Sequence, residues 1–147
     1  MSSRDLVTIP NPILLQTAES VDKIDSEVLD IVRDMIRVMD KHGGVGLAAN
    51  QIGVLKRIIV AKINGRKTIM INPQIVKRFD EMHTKEEGCL SCPGVWKPIA
   101  RNRFIVVDYT DDKSKEHKNV PLADLSARIV QHEIDHLNGI CIQKDIV

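Results

Sequence analysis

Apolar residues recur at three- and four-residue spacing from Ser26 to His42, which is the repeat of an amphipathic helix. The positions that share this face are Val28, Leu29, Val32, Met35, Ile36 and Met39. Asp25 or Ser26 can cap the start, because a short polar side chain accepts a hydrogen bond from the first turn. Gly43 can close the end, where a left-handed backbone favours glycine. The pattern therefore predicts a helix over residues 26–42.

A second helical pattern runs from about Leu122 or Ala123 to Leu137, with Gly139 just beyond its end. One face carries Leu122, Leu125, Ile129, His132 and His136, and another apolar side carries Ala127, Val130, Ile134 and Leu137. A helix that is apolar on most sides is usually buried. We therefore expect the two histidines to point from a core helix into a cleft.

Short runs rich in β-branched and aromatic residues lie between these helices and predict strands over Arg57 to Ile63, Thr68 to Ile71 and Arg103 to Tyr109. Asn72-Pro73 and residues 111–113 are predicted turns. Helices and strands do not alternate regularly, which favours an α+β fold over a doubly wound sheet. We predict antiparallel strands packed around a buried helix, in a single domain over residues 1–147.

Composition narrows the class of protein. The chain has 147 residues and a net charge of +1, and only 3% of its residues are aromatic, so binding by base stacking is a poor fit. The start has no apolar signal core, and no apolar run reaches the length of a membrane helix. Three cysteines, an odd number, argue against a disulfide framework. A reducing, cytoplasmic location is the simpler expectation.

The most informative motif is His132-Glu133-Ile134-Asp135-His136. Residues i and i+4 lie on one face of a helix, so two imidazoles at this spacing can bind one metal ion. The glutamate between them can act as general base towards a water on that metal. Two surface histidines at this spacing by chance are the alternative, and the apolar surroundings argue against it because buried polar groups need partners.

A second segment, Glu86 to Gly94, carries two cysteines. Free cysteine is most often a small buried hydrophobic residue, but thiolate is also a strong ligand for zinc or ferrous iron. Cys89 is a candidate third ligand beside the two histidines. Cys92, His83, His117 and several acids compete with it, and spacing alone leaves this choice open.

A third segment, Gly43 to Gln51, is rich in glycine and alanine. Its glycines allow a ligand to approach the backbone closely. A phosphate-binding loop is a weak interpretation, because the Gly-Lys-Ser/Thr sequence is missing and the segment follows a helix. A helix cap followed by a small-residue turn is the plain alternative. The Gln51 amide could donate a hydrogen bond to a developing oxyanion.

The three segments together resemble the peptide deformylases, whose motifs are Gly-x-Gly-Leu-Ala-Ala-x-Gln, Glu-Gly-Cys-Leu-Ser and Gln-His-Glu-x-Asp-His-Leu. They stand here, in the same order and matching throughout, at residues 44–51, 87–91 and 131–137. Three motifs in order are highly specific, although each alone is modest. The likeness extends from Ile9-Pro10 to Arg101 and beyond, so it covers nearly the whole chain.

The resemblance implies a metal-dependent hydrolase that removes the formyl group from N-formylmethionine of nascent chains. It implies that Cys89, His132 and His136 bind one divalent metal, most often Fe²⁺, with Zn²⁺, Ni²⁺ or Co²⁺ as substitutes. It also implies that Glu133 transfers protons. The expected partner is therefore an N-formylmethionyl peptide.

The resemblance further implies that the Gln51 side-chain amide and the Leu90 backbone N–H stabilise the oxyanion. Backbone groups around Val45 and Gly46 would pair with the extended substrate, as an added strand pairs with a sheet edge. The chain stops at Val147, whereas many bacterial members continue into a further C-terminal helix that some use to dock on the ribosome. We therefore expect weak ribosome contact, and neither membrane nor direct nucleic-acid binding.

Two other functions remain open from the residues alone. A zinc peptidase of the His-Glu-x-x-His type would take its third ligand downstream, where only Asp145 is available as an acid. A structural zinc module would use Cys89, Cys92 and both histidines in a closed site. The number of sulfur ligands separates the module from the enzyme.

Overall fold

The computed structural model describes residues 4–142 as an α+β fold with two helices and seven strands. The helices are α1 (Ser26–Lys41) and α2 (Asp124–Leu137). The strands are β1 (Gly46–Ala48), β2 (Ile58–Ile63), β3 (Arg66–Arg78), β4 (Met82–Cys89), β5 (Cys92–Asn102), β6 (Phe104–Thr110) and β7 (Glu116–Ala123). Short 3₁₀ helices cover Pro12–Leu15 and Ala49–Ile52. The predicted fold class is confirmed.

Five strands form one antiparallel sheet in the order β1-β2-β3-β6-β7, and β4 pairs with β5 in a separate hairpin. Successive side chains of β2 point to opposite faces of the larger sheet. Ile58 and Val60 pack in the core cluster that contains α1, whereas Ile59 and Ala61 pack in the cluster that contains α2. A helix therefore covers each face, which explains why β2 is apolar at consecutive positions.

The helix predictions are close to the observed bounds. The Asp25 side chain caps α1 by accepting a hydrogen bond from the Val28 N–H at 3.0 Å, and Gly43 follows with a φ of +67°. Helix α2 begins at Asp124, because Leu122 and Ala123 still pair with β6 as the end of β7. Eleven of its residues are buried, so the prediction of a core helix is confirmed.

The predicted turn at Asn72-Pro73 is wrong. Both residues lie inside β3, where the pairing with β6 shifts between Ile71 and Gln74. Asn72 adopts a φ of +52° at this bulge, and its side chain makes two hydrogen bonds of 2.8 Å to the backbone of Val21. Proline is tolerated at a bulge because the backbone N–H it lacks is not needed there. The strand predicted for residues 68–71 is therefore the middle of a longer one.

The described residues end at Ile142, so Asp145 and the end of the chain at Val147 lie outside them. No helix within residues 4–142 is long and apolar enough to cross a membrane.

Candidate active site

A cleft of about 390 Å³ lies between the segment that enters β1, the β4–β5 hairpin and helix α2. Its floor includes Cys89 from the hairpin and Glu133 from α2. Its rim carries exposed apolar side chains, with Leu125 64% exposed and Trp96 68% exposed. Leu125 thus lies on the histidine face as predicted, but at the open mouth of the cleft. The two-histidine helix does face a cleft.

Three potential metal ligands meet at this floor. The donor atoms of Cys89, His132 and His136 all lie within 4.8 Å of one another. The Cys89 Sγ is 3.3 Å from the His136 Nε2. Helical spacing brings the two imidazoles together, and the end of β4 brings the sulfur to them. The structure therefore assembles the three residues that the motifs selected from distant parts of the chain.

The protonation of this group fits a metal ion. Burial, followed by the charges of His132 and Arg101, lowers the pKa of His136 to about 3, so this imidazole is neutral and can coordinate. Its Nδ1 atom is buried without a hydrogen-bond partner among the described residues. Hydrogen bonds from neighbouring thiols and burial raise the pKa of Cys89, which a nearby divalent cation would reverse. One sulfur and two imidazoles form a donor set suited to a divalent transition metal.

A buried carboxylate orients one of the histidines. Glu87 Oε1 accepts a hydrogen bond of 2.8 Å from His132 Nδ1, which leaves the other ring nitrogen to face the cleft. Burial alone would raise the pKa of Glu87, but hydrogen bonds from His132 and Arg101 outweigh it and lower the pKa to about 2. Glu87 is therefore an ionised acceptor, and His132 Nδ1 carries the proton.

Two arginines hold Glu87 in place. Arg101 donates to both carboxylate oxygens, at 3.0 and 2.9 Å, and also bonds Asp135. Arg128 donates to Glu87 and to the backbone oxygens of Ile99 and His83. The supporting positions of Glu87 and Arg128 were not predicted from the sequence. The position of Glu87 two residues before Cys89, and of Arg128 one turn before His132, was the available signal.

Glu133 lies beside the ligand group and has a shifted acidity. Burial raises its pKa to about 7, despite the opposing charges of His132 and Arg101. Its Oε1 atom is buried without a hydrogen-bond partner among the described residues. Its Oε2 lies 2.7 Å from the place where a Cβ on Gly46 would stand, so only glycine allows this approach. A carboxylate of this acidity can both accept and release a proton near neutral pH.

Gln51 faces the same group from the short helix after β1. Its Oε1 accepts a hydrogen bond from the Ala48 N–H at 2.9 Å, which fixes the direction of the amide. Its Nε2 donates to Ser91 Oγ at 3.1 Å and lies 3.6 Å from Cys89 Sγ. Leu90 follows Cys89 at the turn between β4 and β5, and its side chain packs on Gly44. Two potential hydrogen-bond donors therefore flank the sulfur.

One edge of the cleft is the open edge of a strand. Strand β1 is the first strand of the larger sheet and, among the described strands, pairs with β2 alone, through Gly46 to Ala48. Val45 comes just before it, is half exposed, and uses its backbone oxygen to accept from the Lys62 N–H at 2.9 Å. The opposite side of β1 can therefore accept a further extended chain.

The competing ligands lie elsewhere. Cys92 contacts Cys141, with 3.0 Å between the sulfur atoms, and within residues 4–142 it is not grouped with the histidines. His117 bonds Asp111 at 2.9 Å, and His83 lies 3.5 Å from Glu81. Of the candidate third ligands that the sequence left open, Cys89 is therefore the one that lies with both histidines among the described residues.

Comparison with known proteins agrees with this geometry. Residues 3–147 match the family described as polypeptide deformylase. A peptide deformylase of Thermoanaerobacter pseudethanolicus is 42% identical over 140 residues, which cover 95% of this chain and 87% of that protein.

Solved structures show the same fold. A peptide deformylase from Ehrlichia chaffeensis in complex with actinonin superposes with a TM-score of 0.92 at 38% identity, over 98% of this chain and 88% of that one. The peptide deformylase from Thermotoga maritima gives a TM-score of 0.92 at 33% identity, over 100% and 99% of the two chains. The chain therefore belongs to the peptide deformylase family, the metal-dependent enzymes that remove the N-formyl group from formylmethionyl peptides.

Proposed function

We propose that the cleft carries out this reaction on a metal ion held by Cys89, His132 and His136. The observation that supports the assignment is the convergence of their three donor atoms within 4.8 Å, beside Glu133, at the floor of the cleft. A bound divalent metal would supply a Lewis acid that polarises the formyl oxygen and lowers the pKa of water towards about 7. We propose Fe²⁺ as the physiological ion, with Zn²⁺, Ni²⁺ or Co²⁺ as substitutes.

Glu133 moves the proton in this proposal. It accepts a proton from the water that attacks the formyl carbon, and delivers it to the departing amine nitrogen as formate is released. A pKa of about 7 suits both halves of this task, because the group exchanges a proton readily near neutral pH. Because Gly46 has no side chain, the Glu133 carboxylate can lie close to the backbone of β1, where the substrate pairs in this proposal.

Gln51 and Leu90 stabilise the negative charge that develops on the formyl oxygen. The Gln51 amide is held through its oxygen by the Ala48 N–H, so its Nε2 is already directed towards the cysteine before substrate arrives. The Leu90 backbone N–H follows Cys89 directly in the turn of the hairpin. Fixed donors of this kind need no reorganisation during the reaction, which is why they are effective.

The substrate is held along the free edge of β1. Backbone groups of Val45 and Gly46 pair with the extended formylmethionyl peptide, and the apolar lining of the cleft receives its methionine side chain. The substrate implies a cytoplasmic location, where nascent chains emerge. We propose weak ribosome contact, since a net charge of +1 offers little general attraction to ribosomal RNA.

The alternatives explain the site less well. A structural zinc module needs Cys92 on the metal, yet Cys92 contacts Cys141. A zinc peptidase takes its third ligand after the motif, whereas Cys89 comes before it. The whole chain, matched over residues 3–147, acts as one catalytic domain in this proposal.

The first prediction concerns the ligand. Cys89→Ala should abolish tight metal binding and activity, because among residues 4–142 the Cys89 sulfur is the one that is grouped with both histidines. Cys92→Ala and Cys141→Ala serve as matched controls and should keep both. Metal content by elemental analysis decides, and full occupancy in Cys89→Ala would exclude Cys89 as the ligand.

The second prediction concerns the support of His132. Glu87→Gln should weaken metal affinity by about 10- to 100-fold, as is usual when the partner of a metal-binding histidine is changed. The loss of charge also leaves two arginines without their full counter-charge. The exposed neighbour is the control, so Glu86→Gln should retain wild-type affinity in a chelator competition. Equal affinity in the two variants would contradict the positioning role.

The third prediction separates the base from the ligands. Glu133→Gln keeps the size of the side chain but cannot accept a proton. It should retain near-stoichiometric metal while turnover falls by roughly 10²- to 10⁴-fold. Formate release from a formyl-Met peptide measures turnover, with an acetyl-Met peptide as the control substrate. Metal loss in proportion to lost activity would make Glu133 structural instead.

The fourth prediction concerns the oxyanion. Gln51→Leu should lower kcat by about 10²- to 10³-fold, with a smaller effect on KM. Gln51→Glu keeps an acceptor for the Ala48 N–H but has no amide donor, so it should lose the same rate. If kcat is unchanged in both variants, Gln51 is not an oxyanion donor.

The fifth prediction concerns the metal. The ferrous form should be the more active and should lose activity in air, since both iron and thiolate oxidise. Nickel or cobalt forms should persist. Assays of each form with and without air test this prediction. An enzyme that is stable in air and whose zinc form is as fast as its ferrous form would contradict the proposal.

A further inference from the structure

Three cysteine sulfur atoms meet behind the floor of the cleft. The Sγ atoms of Cys89, Cys92 and Cys141 all lie within 4.8 Å of one another, although Cys141 comes from the segment after α2. Cys92 and Cys141 are 1% and 4% exposed, and their sulfur atoms are 3.0 Å apart. All three are thiols. The proposed metal chemistry uses only Cys89, which leaves a buried dithiol beside it without an assigned function.

The spacing of this dithiol suits a disulfide better than a second metal site. Two sulfur ligands on one tetrahedral zinc ion, each about 2.3 Å from the metal, stand roughly 3.8 Å apart. The observed 3.0 Å is clearly shorter. A disulfide bond is about 2.05 Å long, so an approach of about 1 Å would close it. Cys92 and Cys141 are therefore placed to react with each other.

An oxidant that enters the cleft meets Cys89 first. Cys89 is the most exposed of the three cysteines and lines the cleft. Cys141 lines a separate, smaller cavity of about 200 Å³ on the other side of His132. Cys92 also lines the cleft, pairs with Cys89 across the hairpin and contacts Cys141. The three sulfur atoms thus form one group, all within 4.8 Å of one another, and Cys89 is its most exposed member.

We propose that Cys92 and Cys141 are a resolving pair that returns Cys89 to the thiol state after oxidation by a peroxide. Hydrogen peroxide converts the Cys89 thiol to a sulfenic acid and releases one water. The Cys92 thiol attacks this sulfur, so a Cys89–Cys92 disulfide forms and a second water leaves. The Cys141 thiol then attacks the Cys92 sulfur, which forms the Cys92–Cys141 disulfide and restores Cys89 as a thiol.

In these three steps together, one hydrogen peroxide is reduced to two waters and two thiols are oxidised to one disulfide. A low-molecular-weight thiol then reduces the buried disulfide and resets the pair. Sulfenic acid is thereby removed before it advances to the irreversible sulfinic and sulfonic acids. The outcome is read from the oxidation states of the three sulfur atoms without an activity assay, so a failure of this proposal is distinct from a failure of the proposed deformylase activity.

The test treats the full-length, zinc-loaded protein with an equimolar amount of hydrogen peroxide, because zinc itself has no redox chemistry. Non-reducing peptide mapping by mass spectrometry then identifies each cysteine. The expected product is a Cys92–Cys141 disulfide with Cys89 recovered as a thiol, and full reversal on addition of a reducing thiol. Oxyacids on Cys89 with Cys92 and Cys141 still reduced would overturn the proposal.

Variants test the order of the steps. Cys141→Ala should accumulate the Cys89–Cys92 disulfide, since the second exchange has no attacking thiol. The double variant Cys92→Ala/Cys141→Ala should lose the disulfide species completely and collect sulfinic or sulfonic acid on Cys89. Ile142→Val changes packing in the same cluster without removing sulfur, and should behave as wild type. Oxidation of Cys89 to oxyacids at the same rate in wild type and double variant would refute the role, whatever their stabilities.

Discussion

The hydrogen bond between Glu87 and His132 is the constraint on which the site depends. Glu87 belongs to the β4–β5 hairpin, which is a separate sheet, and His132 belongs to α2 in the core. An ionised carboxylate can be buried only where opposite charge and hydrogen bonds compensate for lost hydration. Arg101 and Arg128 provide both. Because these contacts hold the hairpin against the helix, the Cys89 Sγ lies 3.3 Å from the His136 Nε2.

The sequence predicted the elements that have a clear apolar pattern. Helices α1 and α2 follow the helical repeat of their apolar residues, and strands β2 and β6 are runs rich in β-branched residues. The hairpin strands and β7 were missed because they carry many charged and polar residues and are largely exposed. Pairing between neighbours, which no local pattern reveals, determines their conformation. Asn72-Pro73 has the composition of a turn, but two tertiary hydrogen bonds between the Asn72 side chain and the Val21 backbone hold it in a bulge.

The grouping of the candidate site residues was more predictable than the fold around it. The histidine spacing by itself indicates a pair of metal ligands, whereas Cys89 was selected through the resemblance of the three motifs to the deformylases. Spacing alone could not choose between Cys89 and Cys92, since only the folded hairpin directs one sulfur to the histidines and the other to Cys141. The supporting charges were missed for a related reason. A buried glutamate and an exposed one look alike in a sequence until their arginine partners are located.

Cys89 lies between two different groups of side chains. One side meets the imidazoles of α2, and the other meets a buried dithiol. We propose that one sulfur and two imidazole nitrogens hold a single metal ion. X-ray absorption at the metal edge of the reconstituted protein counts these ligands. We predict one metal–sulfur distance and two metal–nitrogen distances from imidazole, whereas two sulfur ligands would contradict the account.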